Sequence, residues 1–186
     1  GHLVLSTLHT NSAAAAIPRL LDMGIEPYLL ASTIRAIAAQ RLPRKVCPYC
    51  MQSFPALPEV VDNIQSTLSN IKDLNRIIAA KKQKAEEGSS VLKAPEIGPD
   101  GKPVIYLYKG SGCDRCGGSG YSGRIGIFEV LDVNEKISRM VMENVTAGDI
   151  EEEAKKNGMI TMIQDGYLKA LEGITSIEEV LRVSKE

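Results

Sequence analysis

Apolar and polar positions along the chain fall into three stretches with different periods. His2-Leu3-Val4-Leu5 is a short continuous aliphatic run of the kind that forms a strand buried in a sheet. Two segments at helical spacing follow, 13–24 (AAAAIPRLLDMG) and 27–42 (PYLLASTIRAIAAQRL), the first closed by Gly24 and the second opened by Pro27. A strand leading into helices predicts an α/β core over residues 1–45. Residues 46–131 are less regular. They hold a polar helical pattern over 59–87 and a Pro/Gly-rich linker over 88–103, so 57–105 reads as a mobile insertion. Residues 132–186 return to helical periodicity. Thr146-x-x-Asp149, Thr161-x-x-Gln164 and Thr175-x-x-Glu178 stand where side chains cap helix starts, and Gly158 and Gly173 stand between helices. These signals predict a small C-terminal helical bundle.

Candidate chemistry enters with the cysteines. All four fall into two Cys-x-x-Cys pairs, Cys47/Cys50 in VCPYC and Cys113/Cys116 in GCDRC. Four thiolates match the four ligands of tetrahedral zinc, and two intervening residues let a tight turn aim both sulfurs at one ion. Two disulfides, a redox dithiol or four unrelated buried thiols are the alternatives. Disulfides fit less well, because no secretory signal is visible and a chain of 186 residues does not need covalent staples. A redox dithiol would stand at a helix start after a strand, whereas Pro43 and Pro48 place the first pair in a loop. The expectation is one structural zinc ion per chain, held by Cys47, Cys50, Cys113 and Cys116, with no open position for a substrate.

Composition changes the picture only by exclusion. With 22 Lys and Arg against 23 Asp and Glu, no Trp and two Phe, the chain has neither the charge nor the stacking surface of a nucleic-acid binder. Its apolar runs fall well short of the ~20 residues of a membrane-spanning helix, so membrane contact is expected only through a protein partner. The opening on Gly1, without methionine, adds the expectation that this is the later part of a longer protein.

The polar cluster Ser6-Thr7-Leu8-His9-Thr10-Asn11 follows the first predicted strand, and ligands in α/β nucleotide-binding sheets gather at strand carboxyl ends. Hydroxyls, an amide and an imidazole can meet phosphate oxygens without a fixed charge. His9 is the candidate functional residue on that ground, with helix capping or core packing as the bland alternative. His2, at the strand start, has a weaker claim.

Five segments carry a resemblance: GHLVLSTLHTN, LLDMGIEPYLLASTIRAIAAQRL, RKVCPYC, CDRCGGSGYSGRIGIFEVL and GMITMIQDGYLKALEGITSIEEVLRV. In order and approximate spacing they closely resemble the C-terminal half of the type II secretion and type IV pilus assembly ATPases. The resemblance implies a fold class of α/β type, the C-terminal part of a RecA-like P-loop ATPase core, with a tetracysteine zinc-binding element and a C-terminal helical bundle. It also implies a homo-hexameric motor on the cytoplasmic face of the inner membrane, using ATP and Mg2+ to drive an inner-membrane platform protein. The zinc element sets this branch apart from pilus retraction ATPases. In the family the opening segment is the His box: the histidine matching His9 lies near the nucleotide γ-phosphate, and the one matching His2 belongs to the same motif. Thr7, Thr10 and Asn11 would contact the nucleotide or hold the loop. Gln40 and Arg41 would touch the neighbouring subunit, against the plainer reading of a solvated arginine at a helix end; Arg35 and Arg124 have weaker claims to that role.

The chain departs from the family pattern in one decisive way. No G-x-x-x-x-G-K-[ST] occurs in it, and the acidic groups that would hold magnesium and activate water are missing too, so this portion is not expected to hydrolyse ATP alone. The segment between the cysteine pairs is also longer than usual. Two other classes remain open on sequence: a zinc-binding chaperone-like module, since Cys113–Gly120 resembles one copy of the C-x-x-C-x-G-x-G repeat of J-domain co-chaperones, and a purely structural assembly partner.

Overall fold

The computed structural model describes residues 2–69, 71, 96–97 and 103–185. In chain order the elements are α1 (Ala16–Asp22), α2 (Pro27–Thr33), β1 (Ala36–Arg41), β2 (Arg44–Val46), β3 (Met51–Pro55), α3 (Pro58–Leu68), β4 (Glu96–Ile97), β5 (Pro103–Val104) and β6 (Tyr106–Gly110). A single 3-10 turn (Asp114–Cys116) precedes β7 (Tyr121–Arg124), β8 (Ile127–Asp132), α4 (Glu135–Met142), α5 (Ala147–Lys156), α6 (Met162–Leu171) and α7 (Ile177–Ser184). Strands pair as β1 with β8, β2 with β7, β3 with β6 and β4 with β5, giving an α/β chain of small two-stranded sheets. The chain divides into two compact units, Gly1–Gln40 with Phe128–Thr161, and Arg41–Ile127 with Met162–Glu186. Each unit therefore takes one helix pair from the C-terminal stretch: α4 and α5 in the first, α6 and α7 in the second.

In the first unit, α1 begins after Ser12, whose hydroxyl accepts the Ala15 amide at 3.2 Å, and it closes at Gly24 with φ +85°. Helix α2 opens on Pro27 as expected but ends at Thr33, not at residue 42. The Ser32 and Thr33 hydroxyls both donate to the Leu29 carbonyl, and Ile34 is extended at φ −72°, ψ 130°. Residues 36–41 then form a strand although Ala, Gln and Arg favour helix, because pairing with β8 overrides local propensity.

Strand β8 alternates strictly, with Ile127, Glu129 and Leu131 buried and Phe128, Val130 and Asp132 exposed. Leu131 joins Ala13, Ile17, Leu30, Ile137, Val141 and Ile150 in one buried cluster. Helix α4 is capped by Asn134, which accepts the Lys136 and Ile137 amides at 3.0 Å. Helix α5 is capped by Thr146 as the sequence predicts, and a 2.8 Å ion pair from Lys136 to Glu153 ties the two helices.

The opening run differs from its expectation. Residues 2–10 are not a strand, and Leu3, Val4 and Leu5 are 86, 79 and 88% exposed. A sheet-forming run becomes a strand only when a neighbour takes its backbone hydrogen bonds, and among the described residues no strand pairs with it.

In the second unit, α3 realises the start of the predicted polar helix. Residues 72–95 and 98–102, which hold the rest of that helix and most of the predicted linker, lie outside the described residues; β4 and β5 form where only a linker was expected. Helix α7 is capped by Ser176, one residue beyond the expected Thr175, which is fully buried and donates to the Arg44 carbonyl at 2.8 Å. Gln164 reaches across to α3, donating to the Thr67 carbonyl at 2.8 Å, and the Tyr167 hydroxyl donates to Asn63 at 2.8 Å, both joining α6 to α3.

Gly166 sits where α6 crosses α7. A Cβ there would lie 2.5 Å from Val180 Cγ1, and the χ1-stiff valine has little freedom to withdraw. Overpacking of this kind costs about 1–3 kcal/mol, against at most ~1 kcal/mol gained in helix propensity. Gly166→Ala is expected to lower the thermal midpoint and Gly166→Ala/Val180→Ala to recover part of the loss; an unchanged midpoint in the single variant would contradict the close crossing.

Candidate metal centre

The four cysteines, 66 residues apart in the pairs Cys47/Cys113 and Cys50/Cys116, are brought together by strand geometry. β2 runs into the Cys47–Cys50 turn and leaves it as β3, while β6 runs into the Cys113–Cys116 turn and leaves it as β7. Because β2 pairs with β7 and β3 with β6, both turns stand at the fork between two antiparallel ribbons. The Cys47 amide donates to the Gly120 carbonyl at 2.9 Å and the Ser111 amide to the Cys50 carbonyl at 2.9 Å, stitching each turn to the opposite strand.

Glycine is required at the closest approach. A Cβ on Gly110 would lie 2.1 Å from the Gly120 carbonyl oxygen, and Gly120, at φ +75°, would meet the Gly110 oxygen at 2.6 Å. The glycines flanking the second pair are therefore what lets the two arms of the fork converge.

The sulfurs fit one tetrahedral ion. Cys47 to Cys113 and Cys50 to Cys116 are each 3.9 Å, Cys113 to Cys116 is 3.7 Å, and all four lie within 4.8 Å of one another. Metal–sulfur bonds of ~2.3 Å in a tetrahedron set sulfurs ~3.8 Å apart, whereas a disulfide needs ~2.05 Å. The cysteines are free, so the disulfide alternative does not describe this arrangement.

The surroundings favour thiolates unevenly. Amides of Cys113 and Gly120 donate to the Cys116 sulfur at 3.2 Å, and the Cys113 amide leads in bringing that thiol down to about 6 against the effect of burial. Burial pushes the Cys50 thiol up to about 11, opposed by the Gly112 amide. A divalent cation removes this contest, because a coordinating thiol is deprotonated outright. Outside the sulfurs, the Arg115 guanidinium stacks 3.9 Å over the Tyr49 ring, joining the middle residues of the two motifs.

Residues 1–182 match the family described as type II/IV secretion system protein. The chain belongs to that family. It is 43% identical to the type II secretion system protein E of Xanthomonas campestris over all of its own length and 27% of that protein. It is 37% identical to the type IV pilus assembly ATPase PilB of Thermus thermophilus, over 97% of this chain and 17% of the relative. It is 35% identical to the type II secretion system ATPase E of Vibrio cholerae, over all of this chain and 30% of the relative. The chain thus spans 17 to 30% of the length of these relatives.

The other predicted site residues of this type II/IV secretion family member stand apart from the sulfurs in sequence and differ in setting. His2, Thr7, His9 and Asn11 are exposed, and Thr10 is half-buried with its hydroxyl donating to the Ser12 carbonyl at 3.1 Å. Gln40 is exposed and Arg41 half-buried, both at the end of β1 and not of a helix.

Glu179, although it stands in a charged helix, is 2% exposed. Its carboxylate accepts from the Arg44 backbone and guanidinium at 3.0 and 2.6 Å and from Arg182 at 3.0 and 2.9 Å. The signal was available in part, since Glu179 lies on the buried face of α7 with Val180 and Val183.

Protein made without chelator carries one zinc per chain by elemental analysis, and Cys116→Ser drops below stoichiometric metal with a lower thermal midpoint; wild-type protein free of zinc would contradict the site. Burial alone would raise the Glu179 carboxyl, but Arg182 and Arg44 overcome it and hold the group far below the usual carboxylate range. A depressed native value means that its stabilisation is fully present above the unfolded value of ~4.3 and is lost as pH falls below it. Glu179→Gln is accordingly expected to destabilise at pH 7 and to flatten the decline between roughly pH 4.3 and 2; an equally steep acid decline in the variant would contradict the assignment.

Proposed function

We propose that this chain is the C-terminal portion of a hexameric ATPase motor that powers type IV pilus assembly or type II secretion. The observation that carries the reading is the family match over residues 1–182, with relatives whose names are those of secretion and pilus assembly ATPases. In this reading the first unit completes a RecA-like ATPase core, and the cysteine element in the second is a structural zinc site. ATP and Mg2+ are bound by the intact motor, with the phosphate-cradling loop supplied outside these residues, since no such motif occurs in them. The intact protein would act from the cytoplasmic face of the inner membrane on a platform protein; no described helix is long and apolar enough to cross a membrane.

The candidate catalytic residue is His9. An exposed imidazole flanked by Thr7, Thr10 and Asn11 can approach a nucleotide brought by the rest of the motor, sense its γ-phosphate and neutralise charge developing in phosphoryl transfer. His2 belongs to the same segment, and Gln40 with Arg41 would meet the neighbouring subunit. The exposure of Leu3, Val4 and Leu5 supports the same reading, because an aliphatic run of that kind is suited to the interior of a larger sheet.

The test is His9→Ala in the intact protein. Turnover of ATP is expected to fall by about 10²-fold or more, with KM changed far less and the thermal midpoint unchanged, as for loss of a group that acts mainly on the transition state. Wild-type turnover in the variant would remove His9 from the catalytic role.

A further inference from the structure

Strand β2, which enters the metal fork at Cys47, is held from the C-terminal helix at Arg44. Glu179, its side chain 3% exposed, accepts two hydrogen bonds on each oxygen: Oε1 from the Arg44 and Arg182 guanidinium groups, Oε2 from the Arg44 backbone amide and again from Arg182. Arg44 stands three residues before Cys47. The loop before α7 holds the same strand by its backbone, with the Thr175 hydroxyl donating to the Arg44 carbonyl at 2.8 Å and the Val46 amide to the Ile174 carbonyl at 3.0 Å.

A second route reaches the other cysteine pair. The Arg44 guanidinium lies 4.3 Å over the Tyr121 ring, and the Tyr121 hydroxyl bonds the Ser176 hydroxyl at 3.0 Å. Tyr121 follows Gly120, whose amide donates to the Cys116 sulfur at 3.2 Å and whose carbonyl receives the Cys47 amide at 2.9 Å. Both arms of the fork are thus oriented by groups anchored on α7 and its cap.

The geometry points to Glu179 as a positioning residue for the tetracysteine site, which makes metal occupancy and the packing of α7 coupled equilibria. Four sulfurs bind an ion tightly only if the chain that carries them is already held in place, and releasing β2 spreads the positions of Cys47. The coupling is reciprocal: whatever α7 adds to metal affinity, bound metal returns to α7. Movement or docking of the C-terminal helix therefore becomes a way to tune the metal site. The inference rests on the four cysteines holding a metal.

Zinc affinity of the intact protein, measured by competition with a chromophoric chelator, tests it. Glu179→Gln is expected to weaken zinc binding about tenfold, and zinc removal from the wild type to speed amide exchange over Ile177–Ser184 by a similar factor. Tyr167→Phe serves as control, since it loses the bond to Asn63 on α3 and leaves the clamp intact. Its affinity should stay within about twofold of wild type. Unchanged affinity in Glu179→Gln, or equal weakening in Tyr167→Phe, overturns the coupling. If Glu179→Gln does not fold, Arg182→Gln removes two of the four hydrogen bonds from a half-exposed side chain, and no loss of affinity there overturns it equally. A wild type that takes up no zinc fails the metal reading itself, and the coupling with it.

Discussion

The second unit depends on the convergence of two turns that are far apart in sequence. Between Cys50 and Cys113 lie 62 residues, and closing a segment of that length costs about 4 kcal/mol in chain entropy by the logarithmic scaling of loop closure. Five residue pairs of the β3–β6 ribbon and a short irregular β2–β7 ribbon oppose that cost, neither being large enough for independent stability. One cation held by the four sulfurs, which lie within 4.8 Å of one another, would supply what the ribbons lack, because a metal site of this kind exists only in the folded fork. That the intervening segment is long then matters little: the logarithm makes each doubling cost only about 0.6 kcal/mol more.

Legibility in the sequence followed the physics of each signal. The cysteine pairs were readable because ligand number and spacing are local properties, and the flanking glycines agreed with tight turns; that Gly110 and Gly120 must touch is a tertiary fact that spacing does not carry. Gly24, Pro27, Thr146, Gly158 and Gly173 were readable because caps act within one turn. The strand over Ala36–Arg41 was not, since its residues favour helix and only the partner β8 makes it a strand. Glu179 was missed for the same reason: its partner Arg44 lies 135 residues away, and a glutamate in a charged helix looks solvated until that arginine is in place.

The opening segment shows the opposite case. Its aliphatic run carries a sheet-forming pattern, yet in this chain it is no strand and is exposed, with His9 presented on the same stretch. Pattern reports what a segment is suited to pair with, while structure reports what it is paired with here. The two agree once the segment is read as part of a larger motor, which is the reading that the family membership of residues 1–182 supports.

Glu179 and the cysteines share one architecture: four sulfurs placed to hold a single ion stand where two ribbons meet, and a buried carboxylate ties one ribbon to the last helix. The most direct test of that account is X-ray absorption at the zinc edge on the purified protein. The account predicts a single shell of four sulfur neighbours at about 2.3 Å. A shell containing nitrogen or oxygen neighbours, or a protein whose cysteines are paired as disulfides with no zinc edge at all, would contradict it.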